Sequence, residues 1–145
     1  MDLDAAPEGG SRYPVIASLA ERVFTKFHLD VGIGDAVIQP TEIIEGRDWL
    51  RFAGIGLVRL IAISKEQQFA EKLHAYTLPR ESGINTRVKD LVDMALLVRA
   101  GTMDTAKLRK AVQRTFRRRG TLSLPDILPD PPVSWEQSYR TLADE

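Results

Sequence analysis

The sequence lacks cysteine and has little histidine and no long apolar run. Its 145 residues include no cysteine and only two histidines, His28 and His74. Disulfides and thiolate metal sites are therefore excluded, and a histidine-rich zinc site is disfavoured. No apolar run approaches the roughly 18 to 20 residues that cross a bilayer, and the start, MDLDAAPEGGSRYP, does not have the pattern of a signal peptide. These absences predict a soluble, cytoplasmic protein without membrane contact.

An excess of charge of either sign is also missing. Lysine and arginine together number 20, as do aspartate and glutamate, so the net charge does not indicate a nucleic-acid partner, although local patches still can. There is no Walker loop and no G-x-G-x-x-G, and no motif supports Ser-His-Asp catalysis. The length is sufficient for one domain with a real core.

Extended segments are predicted in the first half of the chain, after a loose leader over residues 1–11. The four predicted strands cover residues 12–20, 23–34, 49–54 and 57–63. The first two strands are separated by Glu21 and Arg22, a spacing that predicts a hairpin. Turn signals occupy residues 35–48.

Helical signals occupy the second half. Two S-x-x-Q capping boxes, at Ser64 and Ser134, predict helix starts. Asn85 or Thr86 can cap a helix that runs to about Arg99, and Asp104 can cap one that stops at Gly120. Strands followed by helices predict an α+β fold. The predicted parts of one domain are a strand-rich region at 1–63, a helical region at 64–120, and a proline-rich linker with a short helix at 121–145.

One lysine and two aspartates lie in helical segments with apolar neighbours. Lys72 can extend from the edge of the core into solvent, or it can supply a point charge to a triphosphate. Asp90 and Asp93 share one helix face near its start, where the helix dipole favours negative charge. Alternatively, one aspartate orients Lys72 or accepts a proton from an attacking hydroxyl.

Two further groups of charges have both structural and functional interpretations. Asp30 lies on the polar face of the second predicted strand, where it is either solvated or a ligand for Mg²⁺. The third helix carries many cations, which either form a solvated face or contact RNA phosphates. These cations are Lys107, Arg109, Lys110, Arg114, Arg117, Arg118 and Arg119.

Two motifs in the helical region carry a resemblance to a known family. AEKLHAYTLPR (70–80) followed by NTRVKDLVDMALL (85–97) resembles the third and fourth motifs of the AbiEii/AbiGii nucleotidyltransferase toxin family. GGSRYPVIASLAERVFTKFHLDVGIGD (9–35) is similar to the hairpin region of that family. The resemblance implies a partial DNA polymerase β-like nucleotidyltransferase fold. It also implies transfer of a nucleotide from an NTP, with Mg²⁺, to an RNA hydroxyl such as the 3′ end of a tRNA, and a cognate antitoxin as partner.

The resemblance also implies roles for individual residues. Lys72 contacts the triphosphate with Arg87 and Lys89, while Asp90 and Asp93 act with Lys72 in catalysis. Asp30 takes the place of a metal ligand. The implied RNA contacts come from the basic helix, at Arg114, Arg117, Arg118 and Arg119.

The sequence departs from the family pattern at its start. Family members begin with a glycine-serine turn and a D-x-D strand, and here Asp2 and Asp4 form D-L-D without that context. The expectation is a chain that begins partway through the catalytic domain and is nearly inactive alone. Two alternatives to the enzyme remain open. One is a catalytically inactive module that binds RNA or a partner, and the other is an interaction protein without a ligand of its own.

Overall fold

A computed structural model of the chain describes residues 7–79 and 87–143. Within these residues the chain forms two two-stranded antiparallel sheets followed by four α-helices, which confirms the predicted α+β class. The strands are β1 (Gly10–Leu19), β2 (Arg22–Gly32), β3 (Glu42–Glu45) and β4 (Arg59–Ala62). The helices are α1 (Lys65–Thr77), α2 (Val88–Arg99), α3 (Thr105–Arg119) and α4 (Glu136–Ala143). The chain divides into two compact units, Met1–Ala36 and Val37–Glu145.

The first unit contains the predicted hairpin of β1 and β2. Its turn lies one residue earlier than predicted, because Arg22 pairs with Leu19 and so belongs to β2. Ala20 and Glu21 make the turn, with φ angles of 47° and 64°. Left-handed angles at both central residues are what a two-residue type I′ turn requires. The hairpin geometry is therefore reached without the Asn-Gly or Asp-Gly pair that usually signals it.

Pairing of β1 with β2 gives the hairpin an apolar face and a polar face. Phe27 pairs with Val15 and Leu29 with Tyr13, so the apolar stripe predicted for β2 extends across both strands. On the other face Arg12 pairs with Asp30. The side chains of β2 are exposed throughout.

In the second unit, two local predictions were wrong. The predicted strand over residues 49–54 is a 3-10 turn at Arg51–Ala53, which ends where Gly54 takes a φ angle of 74°. The predicted turn region 35–48 contains β3, which pairs with β4. Turn residues flank β3, and only its pairing with a distant segment makes it a strand. The predicted strand over 57–63 is confirmed by β4.

Helices α1, α2 and α3 form the core of the second unit, and two predicted caps are confirmed. The Ser64 hydroxyl accepts from the Gln67 amide at 3.3 Å, and the Asp104 carboxylate accepts from the Lys107 amide at 2.8 Å. Gly120 ends α3 with a φ angle of 61°. The predicted caps of α2 at Asn85 and Thr86 lie outside the described residues. The buried hydrophobic residues are Ala70, Leu73, Tyr76, Val88, Met94, Ala111, Val112, Phe116 and Trp135.

The proline-rich segment and the C-terminal helix are fastened to this core. The Tyr76 hydroxyl donates to the Pro129 carbonyl at 2.7 Å, and the Trp135 ring packs edge-on against Tyr76 with centroids 5.9 Å apart. The predicted cap at Ser134 was wrong, because Ser134 lies inside a 3-10 turn, Val133–Trp135, that leads into α4. This turn directs Trp135 into the core.

Glu66 makes the stability of the helical unit sensitive to acid. Its carboxylate accepts from the Asp104 amide at 2.9 Å, and this hydrogen bond holds the pKa of Glu66 below its ordinary value although burial opposes the shift. A lowered pKa stabilises the fold above the ordinary value of 4.5, and that contribution is lost as the pH falls through the lowered pKa. We expect Glu66→Gln to reduce the free energy of unfolding by about 1 kcal/mol at neutral pH.

The difference seen at neutral pH between Glu66→Gln and the wild type should shrink at an acidic pH below the lowered pKa of Glu66, where the wild-type carboxylate is also neutral. Urea unfolding at the two pH values measures it. Glu45→Gln is the control, since Glu45 pairs with Arg59 at an exposed position. A Glu66→Gln loss of equal size at both pH values would contradict the assignment.

Candidate functional site

Helix α2 packs against α1 and brings the predicted lysine and aspartates together. The Lys72 ammonium nitrogen lies 2.6 Å from a carboxylate oxygen of Asp93 and 3.4 Å from one of Asp90. Asp90 and Asp93 lie three positions apart on α2, so both face the same side of α1. The cluster therefore joins two helices through one cation.

Burial at this cluster is partial. The side chain of Lys72 is 30% exposed and that of Asp90 is 13% exposed. Neighbouring Leu73 and Ala70 on α1, and Met94 on α2, are buried in the core. The ion pairs consequently lie at the edge of the apolar helix interface, where solvent reaches the ammonium group.

Asp90 also contacts a second cation. The guanidinium of Arg87 lies 3.5 Å from the other carboxylate oxygen of Asp90. The structure thus places two of the predicted nucleotide-binding residues, Lys72 and Arg87, on either side of one carboxylate. Lys89, the third, is exposed on α2.

The charge of Lys72 is secured by its partners. Burial lowers the pKa of Lys72, but the hydrogen bond and charge of Asp93, together with Asp90, outweigh burial and raise the pKa above its ordinary value of 10.5. Lys72 therefore stays an ammonium at neutral pH and cannot act there as a general base. Its available chemistry is that of a fixed positive charge and hydrogen-bond donor.

A cavity of about 320 Å³ opens beside the ammonium group. Lys72 and Asp93 form its charged side, and Leu96, Leu97 and Ala100 form apolar walls. An ammonium has three N–H donors. Asp90 and Asp93 are its acceptors within the described residues, which leaves one donor for an oxygen of a bound ligand.

The chain matches the model of the family described as "Nucleotidyl transferase AbiEii toxin, Type IV TA system" over residues 4–145. The chain belongs to this family. The match extends beyond the motif region at 9–99 through α3 and α4. AbiEii proteins are nucleotidyltransferase toxins of toxin–antitoxin systems, so an NTP substrate and an antitoxin partner are properties of the family. No curated protein matches the chain. None of the described helices is long and apolar enough to span a bilayer.

Nucleotidyltransferases generally use a divalent metal, and the described residues do not fit one. Between residues 7 and 79 and between 87 and 143, no group of three or more Asp, Glu, His or Cys side chains could hold an ion. Asp90 and Asp93 already pair with Lys72. Both carboxylate oxygens of Asp30 accept from the Arg12 guanidinium at 2.7 Å, and this hydrogen bond lowers the pKa of Asp30. A metal at Asp30 would have to displace Arg12, and its role as a ligand stays a prediction.

The cations predicted to contact RNA in this AbiEii chain have two different environments. Arg114, Arg117 and Arg118 are exposed on α3. Arg119 is half-buried and donates to the Glu71 carboxylate at 3.0 Å, and Thr115 donates to the same carboxylate at 3.3 Å. An RNA contact by Arg119 would therefore break an ion pair that joins α3 to α1.

The cations of α3 that the sequence predicts as possible RNA contacts include two lysines near the start of the helix, Lys107 and Lys110. At 100° per residue, Lys107 and Lys110 lie on the same side of the helix as Arg114, Arg117 and Arg118. These five residues are here called the α3 stripe, and all five are exposed.

Proposed function

We propose that this AbiEii chain acts in the transfer of a nucleotide from an NTP to a hydroxyl of RNA, with a tRNA 3′ end as one acceptor. The observation that supports this most is the Lys72 ammonium, held 2.6 Å from Asp93 and 3.4 Å from Asp90 beside an open cavity. Lys72 contacts the phosphates of the NTP in this proposal. Asp90 and Asp93 position Lys72.

The geometry suits the electrostatic part of such a reaction. In-line attack of a hydroxyl on the α-phosphate releases pyrophosphate, on which negative charge accumulates. A cation that is already fixed at this position stabilises the charge without reorganisation during the reaction. The two carboxylates restrict the long lysine side chain, and the apolar walls at Leu96 and Leu97 suit the base or sugar of the nucleotide.

Arg87 and Lys89 are proposed to extend the same positive region. Arg87 contacts one carboxylate oxygen of Asp90 and Lys72 contacts the other, so Asp90 pairs with two cations. A carboxylate in that position orients its partners, and we assign it that role in preference to proton transfer. Lys89 is exposed and free to approach a phosphate of the bound NTP.

The acceptor is proposed to lie along α3. Arg114, Arg117 and Arg118 are exposed on one side of this helix, and such a row neutralises successive phosphates of a strand. Affinity for RNA should then fall steeply with salt concentration. Arg119 takes part only if its pair with Glu71 opens.

A second function is supported by the exposed cations of the α3 stripe. In this alternative the chain binds RNA or a partner through the α3 stripe and does not transfer a nucleotide. It shares the RNA contacts with the first proposal and differs in having no transfer step.

The two functions are separated by incubating the full chain with each labelled NTP, total tRNA and magnesium chloride. Label that becomes attached to RNA supports transfer, and salt-dependent RNA binding without attached label supports the binding module. A chain that binds neither NTP nor RNA would refute both. Lys26→Ala is the matched control for Lys72→Ala in this assay, since Lys26 is an exposed lysine on β2.

A further inference from the structure

A second cavity, whose lining does not include Lys72, lies in the second unit. It has a volume of about 420 Å³ and lies between residues 38–42, the start of α1 and the first half of α3. Its polar lining includes two carboxylates, Glu42 and Glu66, two lysines, Lys107 and Lys110, and the hydroxyl residues Ser64 and Thr102. We call it the α3 cleft.

Hydrogen bonds of buried side chains hold the walls of the α3 cleft. Gln67 is only 1% exposed, and its carbonyl oxygen accepts from the Ile38 amide at 2.8 Å, which fixes residues 38–42 against α1. Glu66 is also buried and accepts from the Asp104 amide at 2.9 Å, which fixes the connection before α3. The cleft is therefore formed before any ligand arrives, which lowers the entropic cost of binding.

The cleft offers two kinds of polar group to a ligand. Lys107 and Lys110 lie one turn apart on α3 and are exposed. No described residue forms an ion pair with either, so their ammonium groups can donate to a phosphate. Glu66 carries charge near Lys107, but its carboxylate is engaged by the Asp104 amide.

Glu42 makes the cleft selective among anions. It lines the same cavity as the two lysines, and its carboxylate repels a simple anion. A carboxylate of this kind accepts hydrogen bonds from ribose hydroxyls, and the 2′-hydroxyl is the group by which a protein distinguishes RNA from DNA. A ligand that carries both a phosphate and sugar hydroxyls can form hydrogen bonds with Lys107, Lys110 and Glu42.

The position of the α3 cleft connects it with the Lys72 cavity and with the α3 stripe. Gln68 and Ala100 line the Lys72 cavity, while Ser64 and Thr102 line the α3 cleft. Lys65, next to Ser64 at the start of α1, donates to the Thr102 hydroxyl at 2.9 Å. Lys107 and Lys110 also begin the α3 stripe, which runs for about 16.5 Å from Lys107 to Arg118 at 1.5 Å per residue.

We propose that the α3 cleft binds one ribonucleotide of the acceptor RNA strand. Lys107 and Lys110 contact its phosphate, Glu42 accepts from its 2′-hydroxyl, and the strand continues along the α3 stripe. This proposal rests on RNA being the acceptor in the proposed function. It assigns to the cleft the preference for RNA over DNA.

The test compares binding of fluorescent single-stranded RNA and DNA of one sequence to the full chain, measured by anisotropy. We expect Glu42→Gln to weaken RNA binding about tenfold, the effect of losing a charged hydrogen bond. DNA binding should stay equal or improve, because a negative charge has been removed. A generic basic surface would instead bind both strands more tightly after this substitution.

The double variant Lys107→Gln, Lys110→Gln is expected to weaken RNA and DNA binding alike, by about tenfold or more. Arg109→Gln is the matched control. Arg109 is exposed on the same helix, but at 100° per residue it lies on a different side of the helix from the α3 stripe. A larger loss of RNA affinity in Arg109→Gln than in the lysine double variant would contradict the proposed binding site.

Two results would refute the cleft directly. One is Glu42→Gln binding RNA as tightly as the wild type, and the other is a wild type that binds DNA as tightly as RNA. NTP transfer is measured on the same samples. If the wild type transfers label to RNA while Glu42→Gln keeps full RNA preference, the cleft proposal fails and the proposed function stands. If the wild type shows RNA preference that depends on Glu42 but transfers no label, the transfer function fails and the cleft stands.

Discussion

Replacing Lys72 with alanine is expected to lower nucleotide transfer by about 100- to 1,000-fold, the usual cost of removing one preorganised charge from a transition state. The cause is the loss of the ammonium group that Asp93 holds at 2.6 Å. Deprotonation of Lys72 should not limit transfer below its ordinary pKa of 10.5, because the pKa of Lys72 is raised above that value. Initial rates of label transfer to RNA measure the effect.

The same substitution also affects stability, and a second variant separates the two effects. Without Lys72, Asp90 and Asp93 face each other one turn apart, and like charges at this spacing destabilise a helix. Asp90 keeps its contact with Arg87. We therefore expect Lys72→Ala with Asp93→Ala to recover the stability lost by Lys72→Ala alone, as measured by urea unfolding.

Transfer should stay low in this double variant, because the charge that faces the phosphates is still missing. Recovery of transfer together with stability would mean that Lys72 matters only for folding. Lys72→Ala with wild-type transfer would remove Lys72 from the site. Lys26→Ala, on the exposed face of the hairpin, should change neither quantity.

The second large effect is expected at Trp135, which joins the C-terminal segment to the core. Its side chain is 5% exposed and packs against Tyr76 with centroids 5.9 Å apart. Trp135→Ala should reduce the free energy of unfolding by about 3–5 kcal/mol, through lost burial and the cavity left behind. Urea unfolding followed by circular dichroism measures the loss.

Trp49 provides the matched control for this experiment. It is 72% exposed, and its ring contacts the Arg47 guanidinium at 5.6 Å. Trp49→Ala should cost at most about 1 kcal/mol, the size of an exposed cation–π contact. The chain has two tryptophans, so each variant also reports the fluorescence of the other one. Equal losses of unfolding free energy in Trp135→Ala and Trp49→Ala would contradict burial of Trp135 in the core.

Several elements could be predicted because their causes are local. Ser64 and Asp104 start α1 and α3 through bonds to amides three residues away, and Gly120 ends α3 with a left-handed φ angle. Residues 49–54 and β3 were mispredicted for the opposite reason. Short strands depend on a partner elsewhere in the chain, and β3 obtains its partner from β4.

The candidate site could be predicted only as a set of residues. The resemblance of residues 70–80 and 85–97 to the AbiEii motifs indicated Lys72, Asp90 and Asp93, and the family match over 4–145 confirmed the family. That match does not give the distances between the side chains of Lys72, Asp90 and Asp93. The pairing of Arg119 with Glu71 could not be predicted either, since these residues are far apart in the sequence and meet only when α3 packs on α1.

By itself the sequence determined the α+β class, the hairpin, most of the helix ends and the family, because each depends on neighbouring residues or on an ordered motif. Only the tertiary structure decided which charges meet. Packing of α2 on α1 sets Lys72 against Asp93, and the buried side chains of Gln67 and Glu66 bring Glu42 and Lys107 into one cleft. Contacts between distant segments depend on how apolar helix faces pack, and that packing involves many residues at once.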